Sequence, residues 1–519
     1  MSCSKILSGD LPELTYEIIK YFRNDYSTLY SCILVNRLWC RLAIPLLWEN
    51  PFSIHIKNYN FIKIYIHNLN DDFKIKLNEC KIINNNSLHS NTLFNYPSFL
   101  KYLNINNFVH SVDKCYGNQL YSESIKFKKL ICMSLFGKFI ENEVNLHTLE
   151  IDYYTTAIVN DIINDIVNDI VEFILKNPNF ILNIRNLKLY ITIDYTKKNF
   201  SIIEDRVLQI VNLHQNLKKI LVYNNSSLLQ SLLYYNCSNT LNTIIFSEID
   251  FNFLNYDIFE QLNVLESIHI IYCSLNNNFF YQIINLSKQF KLKSLFMKEI
   301  PQIDSIELLL QRSGHYLRNF GHEFGFGYDD MSLRDQLFEL ITKYCKNIKY
   351  LYLCHDDDVN IYPVINFIEN MKHLDYLTIK LLSLASLAIH FNSEFDHLNV
   401  KILLQNLGQI LPPKLEYLCL NISHVKVNDF EVFLKNSQDT FINKLLIRNY
   451  DGQDILPCIK EFVMKKKRVK YLSIQDFFSF DGHIEYLQDK VKEFRSYNIK
   501  VQSYNSLVID IYDYMREID

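Results

Sequence analysis

Glycine and proline are scarce here, ten of each in 519 residues. A loop-rich β protein or a linker-rich chain would need more. The phosphate-cradling patterns GxGxxG and GxxxxGK-S/T are absent. A dominant charge is also missing: 53 basic against 57 acidic residues leave a net charge of −4 at pH 7. No global basic field therefore advertises nucleic acid. Long apolar runs are lacking too. The longest uncharged stretch, Ser267 to Ser287, has Asn276, Asn277 and Asn278 at its centre, and Leu381 to Phe391 is too short. A bilayer core asks for about twenty predominantly apolar residues.

Catalytic and metal signatures are likewise missing. Neither HExxH nor GxSxG occurs, no kinase signature is present, and the fifteen histidines show no ligand spacing. The twelve cysteines, scattered from Cys3 to Cys458, never form CxxC. Lys5 and Asp10 interrupt any apolar N-terminal run, so no signal peptide is read. Reduced thiols in the cytoplasm or the nucleus are the expectation. No catalytic residue, metal or cofactor is expected. What is abundant is apolar side chains, 49% of residues, with 14% aromatic, the composition of a chain that folds.

The densest pattern is at the N-terminus, in residues 10–49. Pro12 suits a first helical turn, where its missing N–H would be unpaired anyway. Leu14, Ile18, Ile19 and Phe22 follow as one apolar helical stripe. Asn24-Asp25 breaks that helix, and Ser27 is the expected N-cap of the next. Leu29, Cys32, Ile33, Val35, Trp39 and Leu42 recur at helical spacing before Pro45. About forty residues rarely hold a core alone, so the segment is expected to dock on something else.

These residues resemble the F-box. The matching positions are Leu11-Pro12, Glu17-Ile18 and Val35-Asn36-Arg37-Leu38-Trp39, uninterrupted from Asp10 to about Trp48. The resemblance implies binding to the Skp-type adaptor, and through it to the cullin, of a cullin-RING ubiquitin ligase. By position, the implied adaptor contacts are Leu11, Pro12, Ile18, Ile19, Val35 and Trp39.

A second pattern is periodic. The phrase Leu-x-x-Leu-x-Ile, with aliphatic substitutions, recurs thirteen times between Leu100 and Ile474. Steps of 24, 24, 27 and 25 link the copies from Leu217 to Leu317, and steps of 46, 38 and 41 elsewhere suggest insertions or a missed copy. A period in the twenties is that of a stacked repeat, each copy supplying one short strand and one covering helix. Asn225 and Cys273 stand where a turn residue would satisfy backbone groups. The array resembles degenerate, F-box-associated leucine-rich repeats. The expected fold class is thus α/β: a small helical F-box over 6–50, an irregular first repeat over 51–98, a repeat solenoid with concave parallel strands and convex helices over 99–482, and a terminal cap over 483–519.

The position before the middle Leu faces away from the helices in such a strand. In the last five copies it reads Tyr350, Tyr376, Tyr417, Lys444 and Tyr471. Tyrosine offers apolar area and a hydroxyl at low entropy cost, so Tyr350, Tyr376, Tyr417 and Tyr471 are the expected target-binding strip. Residues 314–330, with four of the ten glycines, read as a frayed repeat or a loop. Asp356-Asp357-Asp358 reads as a solvated acidic turn, Asp161, Asp165 and Asp169 as the acidic edge of a covering helix, and Lys465 to Arg468 as a solvated helix end or a nuclear address. The function expected is a non-catalytic substrate receptor of an SCF-type ubiquitin ligase that holds an unknown protein target, with no nucleic-acid or membrane partner. The alternative is a repeat scaffold that acts outside ubiquitination.

Overall fold

The structure is a computed structural model. It describes residues 11–517 apart from 24, 54–58, 68, 70–74, 76–91, 117–123, 155–160, 193–199, 214–215, 227–228, 230–238, 254–258, 260–261, 286–289, 324–330, 357–359, 383–395, 451, 467–468, 477–492 and 495. The chain forms two units, Met1–Leu265 and Glu266–Asp519. Among the described residues no helix is long and apolar enough to cross a membrane.

Unit 1 opens with three helices, α1 (Pro12–Lys20), α2 (Tyr26–Ile33) and α3 (Arg37–Leu47). Pro12 is at the first helical position, as its fixed φ favours. Asp25, not Ser27, caps α2: its Oδ1 accepts the Thr28 N–H at 3.1 Å. Asn36 caps α3, accepting the Trp39 N–H at 3.0 Å. Ile19, Leu29, Cys32, Ala43 and Leu46 form the core of this bundle, with Trp39 and Phe22 packed against it. A fourth helix, α4 (Phe61–His67), and then β1 (Tyr102–Asn104) follow. The rest of the unit alternates: α5 (Ile105–Tyr116), α6 (Ser124–Glu141), β2 (Thr148–Tyr154), α7 (Asp161–Lys176), β3 (Asn186–Thr192), α8 (Phe200–Leu213), β4 (Lys219–Tyr223) and β5 (Thr243–Ser247). The strands β1 to β5 pair in chain order, all parallel.

Unit 2 continues the alternation: β6 (Ser267–Ile271), α9 (Asn277–Asn285), β7 (Lys291–Met297), α10 (Ile303–Ser313), β8 (Asn319–Glu323), α11 (Met331–Tyr344), β9 (Tyr350–Asp356) and α12 (Tyr362–Asn370). Next come β10 (Tyr376–Leu382), α13 (Asp396–Ile410), β11 (Tyr417–Ser423), α14 (Val427–Asn436), β12 (Lys444–Tyr450), α15 (Leu456–Lys466) and β13 (Tyr471–Asp476). The chain ends in β14 (Lys500–Val501), α16 (Tyr504–Leu507) and α17 (Ile511–Glu517). Strands β6 to β14 are again parallel and paired in chain order. This is a repeat-like α/β architecture. Parallel neighbours need a long crossover, and helices supply most of them.

Each of the thirteen sequence phrases coincides with one strand. Their Leu and Ile residues, such as Leu351, Leu353, Leu377 and Ile379, are buried on the helix side. The helix side is fixed by ring contacts: Phe320 of β8 lies 5.9 Å from Phe367 of α12, and Phe338 of α11 lies 6.0 Å from His355 of β9. A backbone motif repeats along the array. The carbonyl of the residue before one strand accepts two N–H groups from the start of the next copy. Lys101 O takes His147 and Thr148, His147 O takes Arg185 and Asn186, and Asp375 O takes Glu416 and Tyr417. After several strands the chain turns through a left-handed residue, at Asn224, Glu248, Tyr272 and His424, with φ of 46°, 52°, 52° and 55°. The first three lie 24 residues apart, the period of the sequence phrase.

Besides the Ser27 cap, two expectations need correction, and one left open is decided. The residues at 314–330 are not frayed where they are described: Asn319 to Glu323 form β8 and stay in register with β9. Gly321 is required there because a Cβ would sit 2.3 Å from Cδ1 of Phe296. Residues 324–330 lie outside the described residues. Of the two readings of the long step from Leu100 to Leu146, insertion or missed copy, the structure shows the insertion, a second helix, α6. The stripe Leu14, Ile18, Ile19 and Phe22 is two stripes: Thr15 and Ile19 are buried inward with Phe22 beside them, while Leu14 faces out and Ile18 is half-buried. Asp357, Asp358, Lys467 and Arg468 lie outside the described residues. Asp169 forms an ion pair with Lys129, and Asp165 is exposed.

Candidate functional site

Two surfaces stand out, one in each unit. The first belongs to α1–α3. Helix packing buries one face of each, and the remaining apolar side chains face out. Leu14, Leu34 and Val35 are 42%, 72% and 50% exposed, and Tyr21 and Tyr30 are exposed as well. Leu14, Ile18 and Tyr21 share one edge of α1 at i, i+4 and i+7; Tyr30 and Leu34 share one edge of α2. Large exposed apolar patches on a folded chain mark interaction sites. Of the expected docking residues, Val35 and Pro12 are exposed, and Leu11, Ile18 and Trp39 are half-buried. Ile19 is fully buried and belongs to the bundle's own core. The outward residues that the sequence reading did not single out are Leu14, Tyr21, Tyr30 and Leu34.

The bundle is tied to β1, the first strand that follows. Glu49, just past α3, accepts the Lys101 and Tyr102 N–H groups on its carbonyl at 3.0 and 3.2 Å. That is the same double bond pattern that each strand start uses on the next, so the bundle occupies the position of a first copy. The Glu49 side chain, buried, receives Arg23 Nε at 3.0 Å and stands 3.9 Å from Lys101 Nζ. A second Arg23 nitrogen also pairs with Glu49 and donates to the Tyr102 hydroxyl at 2.8 Å. Charge-assisted pairs of this kind fix orientation.

The second surface is the strand face of unit 2 that points away from its helices. Tyr350, Tyr376 and Tyr417 are direct register partners on β9, β10 and β11. Lys444 and then Tyr471 continue the row on β12 and β13. Phe296 lies 5.9 Å from Tyr350, and Asn319 precedes it in register on β8.

This row is not bare. Past β14 the chain doubles back across it. The Tyr504 hydroxyl meets Cys419 Sγ at 3.2 Å. The Ile509 N–H donates to the Tyr417 hydroxyl at 3.1 Å. The Tyr514 hydroxyl donates to Asn319 Oδ1 at 3.3 Å, and its ring stands 4.8 Å from Tyr350 and 6.1 Å from Tyr376. Tyr512 lies 6.1 Å from Tyr272. Asp510 starts the last helix by accepting the Tyr512 N–H at 2.8 Å. Tyr350 and Tyr417 are consequently fully buried, and Tyr376 and Tyr471 are half-buried. Burial pushes the Tyr350 and Tyr417 hydroxyls well above the usual phenol range and that of Tyr514 up to about 12, so all stay neutral donors at physiological pH.

Where the sequence predicts a terminal cap over 483–519, the described residues form a further strand and a segment that crosses the strand face. Its signal in the sequence was present: Tyr504, Ile509, Ile511, Tyr514 and Met515 are apolar or aromatic but fit no repeat phrase. Cationic side chains border the same face. Lys298 sits over Tyr272 at 4.9 Å, Lys380 over Tyr352 at 5.0 Å, Lys444 and Lys500 over Tyr471 at 5.7 and 5.5 Å, and Arg448 over Tyr504 at 4.7 Å. The acidic neighbours are Glu323 beside Tyr272, and Asp375 and Glu416 beside Tyr376.

No protein-family model matches the chain, and no curated protein matches its sequence.

Proposed function

We propose that this protein is a non-catalytic substrate receptor of an SCF-type ubiquitin ligase. Its helices α1–α3 bind a Skp-type adaptor in the manner of an F-box. Its leucine-rich-repeat-like strands and helices hold a protein target. The observation that carries the reading is the bundle at residues 11–48. Its Leu-Pro and Val-x-Arg-x-Trp positions fall on helix starts and turns, with Leu14, Leu34 and Val35 facing out. Apolar side chains left outside a core gain most by burial against a partner, at about 25 cal/mol per Å² removed from water. The Glu49 attachment to β1 supports it further, because it ties the docking bundle to the strands of its own unit, so that the bundle's outward face is presented on a built support. The work of the chain is then positioning, inside the cell, where adaptor and cullin operate.

The test is capture of a Skp-type adaptor from cell lysate by the tagged full chain and by Leu34→Asp/Val35→Asp. Both residues are exposed, so the substitutions spare the bundle core. Robust capture by the wild type and loss in the variant is the expected result. Equal recovery of adaptor with both chains, or recovery with neither, removes the reading.

A further inference from the structure

We propose that the strand face of unit 2 is a peptide-binding surface for an acidic, tyrosine-bearing segment of a partner protein, and that residues 504–517 of this chain occupy it as an internal competitor. The inference rests on the reading of unit 2 as the target-holding part, and it names the chemistry of that target.

Composition sets this contact apart from the core behind it. The opposite side of the same strands is built from Leu and Ile, such as Leu351, Leu353, Leu377, Ile379, Leu418 and Leu420. The covered side is built from Tyr350, Tyr376, Tyr417, Asn319, Cys419 and Arg448, met by Tyr504, Ile509, Tyr512 and Tyr514. Tyrosine and arginine with hydroxyl hydrogen bonds are the make-up of protein–protein interfaces, where one surface leaves and another arrives. A small apolar cluster of Tyr417, Cys419, Leu446 and Tyr504 forms at its centre, with Leu507, Val508 and Ile509 at its edge.

Charge is complementary. The face is bordered by Lys298, Lys380, Lys444, Arg448 and Lys500, which outnumber Glu323 beside Tyr272 and Asp375 and Glu416 beside Tyr376. In sequence, residues 504–519 carry Asp510, Asp513, Glu517 and Asp519 against Arg516 alone. The described part of the segment brings Asp510 and the rings of Tyr504, Tyr512 and Tyr514 to this cationic, aromatic surface, and its sequence is acidic as a whole. Such complementarity selects partners and steers encounter. A segment tethered to its own site competes at an effective concentration in the millimolar range, so a target must carry the same features to replace it.

The experiment measures binding of a fluorescent peptide with the sequence of residues 503–519 to the full chain. Three proteins are compared by anisotropy: wild type, Tyr504→Ala/Tyr514→Ala, and that double variant with Arg448→Glu and Lys380→Glu. The first variant weakens the internal segment and leaves the face intact, so the peptide should bind it at least tenfold more tightly than wild type. The charge reversals should abolish binding. Equal affinity for wild type and the double variant, or affinity indifferent to the charge reversals, overturns the proposal. A second measurement guards against misfolded variants. In the wild-type chain, excess isotope-labelled peptide should raise hydrogen exchange at the chain's own residues 504–517; unchanged exchange at saturating peptide overturns the proposal. Adaptor capture is read separately, so a failure here with capture intact leaves the docking role standing.

Discussion

Lowering the pH from 7.5 to 5.0 is expected to remove about 4 kcal/mol of stability from unit 2 through two buried histidines alone. His322 of β8 and His355 of β9 both point to the helix side and are fully buried. Burial, reinforced by the neighbouring Arg334 guanidinium, depresses the His322 imidazole from its ordinary 6.5 to about 3. Burial lowers His355 well below its usual range, with His322 and Arg334 adding to the effect. Arg334 is itself buried. It pairs with Asp335 at 2.6 Å and lies 6.0 Å from the Phe338 ring, which in turn faces His355. The sign follows from linkage. The folded-state pKa lies below the unfolded one, so acid favours the unfolded chain. The loss is negligible at pH 7.5, reaches about 0.4 kcal/mol per histidine at pH 6.5, grows as pH falls further and levels off only near the folded value. At pH 5.0 the unfolded state gains RT ln(1 + 10^1.5), about 2 kcal/mol per histidine, or about 4 kcal/mol for two. Urea melts at both pH values, on wild type and on His322→Gln/His355→Gln, measure this. The pH-dependent loss should be about 4 kcal/mol smaller in the variant, whatever its offset at pH 7.5. Identical pH dependence in the two chains refutes the reasoning.

Gly321→Ala places a Cβ within 2.3 Å of the buried Phe296 ring, so it should cost about 1–3 kcal/mol by overpacking, read as a melting temperature lower by several degrees. Because Phe296 leans on Tyr350, hydrogen exchange at residues 504–517 should rise in the same variant. Asn36→Ala removes the cap of α3 and should cost about 1 kcal/mol in chemical denaturation, with Asn36→Asp restoring most of it.

The strands were legible in the sequence because each carries a fixed phrase, and a parallel strand against a helix must bury one face. Leu-x-x-Leu-x-Ile marks that face wherever it occurs, even at Leu317–Phe320, where glycine made the copy look damaged. The row of Tyr350, Tyr376 and Tyr417 was legible for the same reason: equal positions in successive copies become register partners. What covers the row was not legible. The contacts from Tyr504 to Cys419 and from Tyr514 to Asn319 join residues 85 and 195 positions apart, and no periodicity links them. In the helical bundle, spacing alone did not separate Ile19 from Ile18, because neighbouring helix positions differ by only 100° and the inward side is chosen by α2 and α3. The cap at Asn36 escaped notice because it sits inside the Val-x-Arg-x-Trp phrase. Asn449 was missed for a similar reason: its Oδ1 accepts the Val425 N–H at 3.1 Å at the turn of the preceding copy, a duty looked for at Asn225 and Cys273.

The most direct measurement is a calorimetric titration of the purified full chain with a purified Skp-type adaptor. Adaptor docking through α1–α3 requires saturable binding at one adaptor per chain, and its loss in Leu34→Asp/Val35→Asp. A folded wild-type chain that gives no binding heat at any temperature, or that binds the adaptor equally well after those substitutions, would contradict the receptor role.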